Sequence, residues 1–522
     1  MRDKLPAAAA TVSAMTMLSR VSGLARDMVF ARFLGSGLEA DVFFVAFRVP
    51  NLFRRVFGEG AFSMAFIPVF TGVYTAGDAA QTRAFIGGVA VRLALALALV
   101  SAAGVAAAPA LVAVVAPGFV GDPVKFDLAA DALRLTFPYL FFISFVAMAA
   151  GMLNTAGKFA APAATPVLLN LCLIAAVVYF APLAPNPAVG VALGVPLAGA
   201  VQLLFQLPFL KKEKLLFTGG GKPRQVDQQK NKKNIGEVFK LMAPAAFGAS
   251  VNQINMLVST LLASFLVTGS VSWLYYSDRL MELPLGVFSV ALGTVLLPSL
   301  SRSHKNNSPA EFSRLVDWGG RLTLLIILPA AAGLFVLSAP LLSTLFQYGE
   351  FGAGDVQKAA QSLRVFAVGL IGFAAIKVLG PAFYARKNTR TPVKIACVSV
   401  AVNIVLGIVL SRHFQHVGLA AATSIAAWVN AALLLAVLWR GGVWRPAARW
   451  PRFLLQVAAA TAVMALLVAW GAGGEAGWTG AGAALRAGRL LLWIALGMVC
   501  YTLALWLGGV RPAQLTTTGF GK

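Results

Sequence analysis

Apolar stretches long enough to cross a bilayer recur along this chain between short polar joints, and no soluble core could absorb them all. A crossing takes about 20 mostly apolar residues. Segmentation puts fourteen such stretches near residues 22, 48, 98, 142, 172, 198, 252, 286, 330, 370, 401, 428, 461 and 497. In hydrocarbon, backbone amides must be satisfied within a segment or within a closed barrel, so continuous apolar runs of this length have to be helices. Composition agrees, with 59% hydrophobic residues, 12% charged and a mean hydropathy of +0.80. The expected fold class is an all-α polytopic membrane protein with about 14 transmembrane helices.

A net charge of +24 could indicate nucleic acid, but the placement of the charge argues otherwise. With a cytoplasmic N-terminus, alternate joints hold Arg2 and Lys4, Arg83, Lys158, eight basic residues between Lys211 and Lys233, Arg302, Lys305 and Arg314, and Arg386, Lys387, Arg390 and Lys394. Arg440, Arg445, Arg449 and Arg452 follow, then Arg511 and Lys522; the opposite joints hold essentially Lys125 and Arg412. That is 25 against 2, the positive-inside pattern. Both termini are expected to be cytoplasmic. The run 211–234, with Gly219, Gly220 and Gly221, carries no nucleic-acid motif and reads as a solvated loop whose cations can also meet anionic headgroups.

Cys172, Cys397 and Cys500 are far apart, each inside an apolar run, so no disulfide framework or zinc site is indicated. His413 and His416 are three apart without a Cys or acidic partner, and no metal or cofactor is expected. Near the N-terminus, Ser13, Thr16, Ser19 and Arg20 interrupt the apolar run, which favours a retained first helix over a cleaved signal.

The two halves echo each other. Phe33, Leu34 and Gly37 recur after 232 residues as Phe265, Leu266 and Gly269; Ala61 and Pro68 recur after 230 as Ala291 and Pro298; Arg48 falls opposite Arg279. Six spans per copy is an even number, so both copies insert the same way and are related by an axis along the membrane normal. The expected organisation is an N-lobe of spans one to six (1–210), a basic inter-lobe loop (211–236), a C-lobe of spans seven to twelve (237–440), and an appended pair, spans thirteen and fourteen, with the tail (441–522). The two six-helix lobes are in pseudo-twofold arrangement.

Charged residues inside apolar runs point to the function. A central Arg or Asp costs roughly 2.5–3.5 kcal/mol on insertion scales, so such groups face water, each other or a charged substrate. In the first span Ser13, Thr16, Arg20, Gly23 and Asp27 follow helical steps, with Ser19, Ser22 and Arg26 on a neighbouring stripe, and both stripes are expected to look inward. Snorkelling to one interface does not suit Arg20 and Arg26 together, since six residues separate them by about 9 Å. The second span carries Asp41, Arg48, Arg55 and Glu59, broken by Pro50, Gly58 and Gly60, and reads as a bendable gate. Pairing of Arg55 with Glu59 and of Asp41 with an Arg of the first helix would be its internal alternative. In the eighth span Asp278 and Glu282 lie one turn apart beside Arg279, with Pro284 after them. If the lobes face one another, Arg20, Arg26 and Arg279 converge with too few acids to match them. A guanidinium fork fits phosphate oxygens bidentately, so a diphosphate is the economical cargo.

The runs RVSGLARD (20–27), ADVFFVAFRVPNLFRRVFGEGAFSMAFIPVF (40–70) and SWLYYSDRLMELPLGVFSVALGTVLLPSLS (272–301) closely resemble the MurJ (MviN) family, the bacterial lipid II flippases of the MOP exporter superfamily. The resemblance covers essentially the whole chain. It implies the MOP exporter fold in the cytoplasmic (inner) membrane, and alternating access that moves the undecaprenyl-diphosphate-linked peptidoglycan precursor from the cytoplasmic to the periplasmic leaflet. It also implies that Arg20, Arg26 and Arg279 engage the diphosphate, that Asp41, Arg54, Arg55 and Glu59 serve binding or gating alongside Asp278 and Glu282, and that the last two spans take the polyprenyl tail. The expected partners are lipid II, membrane lipids and the cell-wall synthesis machinery, with the chain itself a monomer.

Some members of the family use acidic sodium ligands in the C-lobe, but no Asp or Glu occurs here between Asp355 and Glu475, leaving Asn403 and Thr423 as neutral donors. That speaks against a family-type sodium site and favours the membrane potential as the drive. Another MOP exporter, for polysaccharide-lipids or drugs, would share the fold without these motifs. An enzyme acting on polyprenyl phosphates would need a metal-binding acidic cluster or an activated nucleophile, and direct ATP use would need a GxxxxGK[ST] loop that does not occur. The chain is expected to be a secondary-type transporter and not an enzyme.

Overall fold

The computed structural model describes residues 5–216, 227–446 and 450–510 of the 522. Each of the fourteen expected centres falls inside a helix, and no strand occurs among the described residues. Nine of the described helical segments are long and apolar enough to cross a membrane. The protein is a polytopic helical membrane protein.

By internal packing the chain divides into two units, Met1–Gly269 and Ser270–Lys522. The first contains α1 (Leu5–Leu34), α2 (Leu38–Phe53), α3 (Ser63–Thr75), α4 (Ala79–Ala106), α5 (Ala108–Val115), α6 (Pro123–Thr136), α7 (Tyr139–Thr155), α8 (Ala160–Ala175), α9 (Pro187–Lys212) and α10 (Gln228–Ser264). The second contains α11 (Ser270–Lys305), α12 (Pro309–Val336), α13 (Ser338–Phe346), α14 (Ala353–Ala385), α15 (Arg390–Arg440), α16 (Trp450–Ala472), α17 (Ala476–Thr479) and α18 (Ala483–Leu507). The seventh apolar run, α10, thus packs with the first six. Gly37 directly precedes α2 and Gly269 directly precedes α11, so the repeated Phe-Leu-Gly triplets mark equivalent helix junctions.

In the first unit, α4, α6, α9 and α10 each begin at an Asp or Asn whose side chain accepts an amide hydrogen of the first turn: Asp78, Asp122, Asn186 and Asp227. The second apolar run is not one helix. After Pro50 it passes at Arg54–Phe62 into a wide turn with i→i+5 bonding and resumes as α3, a departure from regular helix that is found preferentially at functional sites. Behind it Phe62, Phe66 and Phe70 stack at 5.0 and 5.2 Å between ring centres, and Phe85 of α4 closes on Phe66 at 6.1 Å. This buried aromatic column anchors the irregular segment.

The second unit is built around α14, which packs against α11, α12 and α15. Glycine permits close approach there: a Cβ on Gly372 would meet the Trp428 amide nitrogen at 2.9 Å. The C-terminal pair α16 and α18 is fixed at both ends. At one end Arg321 of α12 pairs with Asp317 at 2.9 Å, its guanidinium 5.4 Å from the Trp450 ring and 5.5 Å from the Phe453 ring, while the Trp450 indole donates to Asp317. At the other, Arg364 pairs with Glu475 and Arg486 donates to Gln347 Oε1 at 2.7 Å. Arg489 donates to the carbonyls of Gly477 at 3.1 Å and Ala472 at 3.4 Å. The joints of the less basic side hold essentially Lys125 and Arg412. Arg486 and Arg489 belong beside the α16–α18 connection as well, where they serve as caps for helix-end carbonyls, which narrows the charge bias without reversing it.

α15 breaks at Gln415 (φ 52°, ψ −133°) into two runs. His416, at this turn and outside both apolar runs, is buried; its Nε2 lies 3.0 Å from the Lys358 carbonyl and its ring 5.0 Å from that of Trp273, whose indole donates to Asp355 at 3.0 Å. Burial pushes the imidazole below its ordinary 6.5. As pH falls through 6.5 the unfolded chain takes up a proton before the folded one, so stability contributed by this site is full above that pH and is lost below it. Melting in detergent should therefore drop between pH 7.5 and 5.5 by more for the native protein than for His416→Gln; equal drops would exclude His416 as the cause.

Candidate functional site

The charged face of α1 divides between two environments. Ser19, Ser22 and Arg26 point at α8, where Asn170 donates to the Ser19 carbonyl at 3.1 Å and to Ser22 Oγ at 3.0 Å. Arg26 donates to Asp27 Oδ1 at 2.6 and 3.0 Å and to Asn170 Oδ1 at 3.1 Å, with Phe30 against its plane. Only 6% of Arg26 and 2% of Asp27 is exposed. This stripe, expected to look into open space, is a helix-packing surface with a buried ion pair. Arg20, two turns nearer the N-terminus, is half-buried and makes no hydrogen bond or ion pair among the described residues.

In the second run, Asp41 is 1% exposed and accepts from the Gly269 amide at 2.8 Å and from Lys125 Nζ at 3.4 Å. Its carboxylate is thus engaged by the α10–α11 connection and by α6. Arg48 reaches α10, donating to Thr260 Oγ1 and to the Met256 carbonyl at 3.3 Å. Arg54 donates to Asn51 Oδ1 at 2.9 Å across the start of the irregular turn, and Arg55 is half-buried beside it. The backbone of Glu59 lies in that turn; its side chain, and with it the expected Arg55 pairing, lies outside the described residues.

In the second unit Arg279 donates to Glu282 Oε2 at 3.2 Å and to the Tyr275 hydroxyl at 3.3 Å, its guanidinium 5.1 Å from the Tyr275 ring. About a third of its side chain is exposed, 33%, so it is held in place yet reachable. Asp278 is half-buried on the same helix. The acids expected to be too few are therefore present for two of the three arginines: Asp27 for Arg26 and Glu282 for Arg279. Among the described residues Arg20 has no such acid.

Among the described residues no group of three or more His, Cys, Asp or Glu could hold a metal ion. Asn403 Oδ1 accepts from Thr423 Oγ1 at 3.3 Å, so these two neutral donors are neighbours. Sequence reasoning missed two participants. Asn170 was visible as the one amide inside the run TPVLLNLCLI, whereas Lys125 was counted as a loop charge, and nothing local says that it is buried.

A model of the MurJ family, described as lipid II flippase, matches residues 30–479. A probable lipid II flippase of Vibrio cholerae is 44% identical over 97% of this chain and 96% of its own. A solved structure of a lipid II flippase in an inward closed conformation superimposes with a TM-score of 0.77 at 25% identity, covering 94% of this chain and 97% of that one. An inward-facing multidrug transporter of the MATE family in the MOP superfamily, 14% identical, shares the fold with a TM-score of 0.65 over 83% of this chain and 98% of its own.

Proposed function

Because this chain belongs to the MurJ family of lipid II flippases, we propose that it carries its substrate across the membrane by alternating access, with the diphosphate held by Arg20, Arg26 and Arg279. Flipping lipid II is the activity, and the chain is a transporter rather than an enzyme. The proposal concerns the route: the headgroup crosses between an N-lobe (1–210) and a C-lobe (237–440) while the polyprenyl tail stays in lipid against α16 and α18. The direction is from the cytoplasmic to the periplasmic leaflet of the inner membrane, both termini being cytoplasmic.

The observation that carries this reading is the unequal state of the three guanidiniums. Arg20 offers charge without a counter-ion among the described residues, while Arg26 and Arg279 are oriented by Asp27 and Glu282. A diphosphate arriving at Arg20 supplies the acceptor oxygens that let the other two exchange a carboxylate for phosphate, which is a bidentate swap at little net cost in charge. Asp41, Arg54, Arg55, Glu59, Asp278 and Glu282 serve the gate, and the irregular turn at Arg54–Phe62 gives the second span a place to bend. The protein acts as a monomer, alongside the machinery that consumes lipid II, without a cofactor.

The membrane potential is the proposed drive, since an anionic headgroup leaving a negative interior gains about 2.3 kcal/mol per charge per 100 mV. The test is lipid II translocation in proteoliposomes and rescue of bacteria depleted of their own flippase, with Arg279→Ala as control. Rescue by the native chain alone, with a rate that rises with imposed potential, supports the reading; a rate indifferent to potential removes the drive, and rescue by Arg279→Ala removes that residue from the site.

A further inference from the structure

The connected end of α16 and α18 carries charge that no role yet covers. Arg486, in the first turn of α18, is 5% exposed and donates to Gln347 Oε1 at 2.7 Å and to the Gln347 carbonyl at 3.2 Å. The Tyr348 ring lies 5.1 Å from its guanidinium, and its Nε is buried without an acceptor among the described residues. Arg489, one turn further and half-buried, donates to the Gly477 and Ala472 carbonyls and lies 4.7 Å from the centre of the Trp478 ring. The acid of the α16–α18 connection, Glu475, is taken by Arg364 of α14, and Glu350 pairs with none of the three arginines among the described residues. Carbonyls and rings orient a guanidinium without cancelling its charge, so two of these three cations lack a counter-ion among the described residues. α18 adds to the field. Gly482 at its N-cap brings no side-chain acceptor to the first amides, and Ala483, Ala484 and Leu485 are exposed. Free amides and the helix dipole make such a terminus receptive to phosphate. A guanidinium buried beside it without an acid is costly until an anion comes to it.

We propose that this end of α16 and α18 binds the phosphate of an anionic lipid in the periplasmic leaflet, held by Arg489 and the first amides of α18 in the field of Arg486. Only 11% of the most apolar stretch of α18 is buried, so most of its circumference faces lipid. Its 25 residues span about 37 Å, which carries the first turn past the hydrocarbon to the level of the headgroups. Trp470, near the end of α16 and 85% exposed, suits the same interface. Arg489 uses two of its N–H groups on carbonyls and keeps the rest for phosphate oxygens. The site deepens the route proposed above and rests on it, because that topology places the α16–α18 connection on the periplasmic side. A polyprenyl tail lying against α16 and α18 brings its diphosphate to the end of the pair once the headgroup has crossed. The delivered lipid and an anionic phospholipid offer the same oxygens there, and binding separates them.

The test titrates undecaprenyl diphosphate, phosphatidylglycerol and, as a neutral control, phosphatidylcholine into the purified full chain in detergent. An Arg20→Ala background weakens competition from the proposed central site. Affinity for an anionic lipid should fall roughly ten- to a hundredfold in Arg489→Gln, the equivalent of losing one charged hydrogen bond, and return in part in Arg489→Lys. Gly482→Asp is the second variant: a Cβ there meets nothing within 4 Å, and the carboxylate caps α18 while repelling an anion. It should melt no lower than its parent and bind the anionic lipid as weakly as Arg489→Gln. A loss confined to undecaprenyl diphosphate assigns the site to the delivered lipid, and one confined to phosphatidylglycerol assigns it to a resident phospholipid. Equal affinities for both lipids in the parent, Arg489→Gln and Gly482→Asp overturn the site. Topology is read separately, with Cys172, Cys397 and Cys500 replaced by serine and Gly474→Cys exposed to an impermeant maleimide added outside the cells. Labelling with unchanged affinities overturns the site alone; a Gly474→Cys that stays unlabelled overturns the topology, and with it the periplasmic leaflet.

Discussion

Arg20→Ala is expected to abolish lipid II translocation while leaving the protein's accumulation and melting temperature unchanged. Arg20 is half-buried and bonds to nothing among the described residues, so its removal orphans no partner and opens no gap in a packed interface. What it removes is the guanidinium of the proposed site that has no acid among the described residues. A charge-assisted bond is worth about 1.5–3 kcal/mol and a bidentate phosphate contact lies at the upper end, so the loss of substrate engagement should be on the order of a hundredfold. Arg20→Lys keeps the charge but not the fork and should fall between. The measurement is translocation in proteoliposomes together with rescue of flippase-depleted cells. Native rates in Arg20→Ala would show that the diphosphate is held elsewhere.

Arg26→Ala is expected to lose both activity and stability. The sequence alone suggests that alanine at 20, 26 and 279 would behave alike, leaving the protein intact. The structure separates them, because Arg26 is buried against Asp27 and Asn170. Deleting one member of a buried pair leaves the other uncompensated, at a cost of about 3–5 kcal/mol. Arg26→Ala should therefore accumulate poorly and melt lower than Arg20→Ala. The paired change Arg26→Met with Asp27→Asn removes both charges and should recover most of the lost stability without restoring translocation. Melting in detergent separates the outcomes: if Arg26→Ala is as stable as Arg20→Ala, the pair does not contribute in the folded protein, and if the double change flips lipid II, Arg26 is packing and not site.

Much of this was legible in the sequence because apolar run length and period are local properties. All fourteen expected centres lie in helices, and the Phe-Leu-Gly repeat marks matched junctions before α2 and α11. Pro50 with Gly58 and Gly60 announced a break that became the wide turn at Arg54–Phe62. The arginines, too, could be picked out, since charge inside an apolar run is visible without knowing the fold.

Which charges neutralise one another was a different matter. Asp41 finds Lys125 across 84 positions and the Gly269 amide across 228, Arg26 finds Asn170 across 144, and Arg48 finds Thr260 across 212. Helical periodicity gives the direction of a side chain on its own helix, but which neighbour stands there depends on how the helices pack. The sequence by itself determined a polytopic helical protein, its family and which charged residues lie inside apolar runs. Only the tertiary structure decided that Arg26 and Asp27 are a buried pair, that Arg20 has no acid beside it among the described residues, and that Lys125 is a buried counter-ion. Lys125 and Asp41 meet only after the helices have assembled, and the neighbours Arg26 and Asp27 are shut off from water only by that same packing.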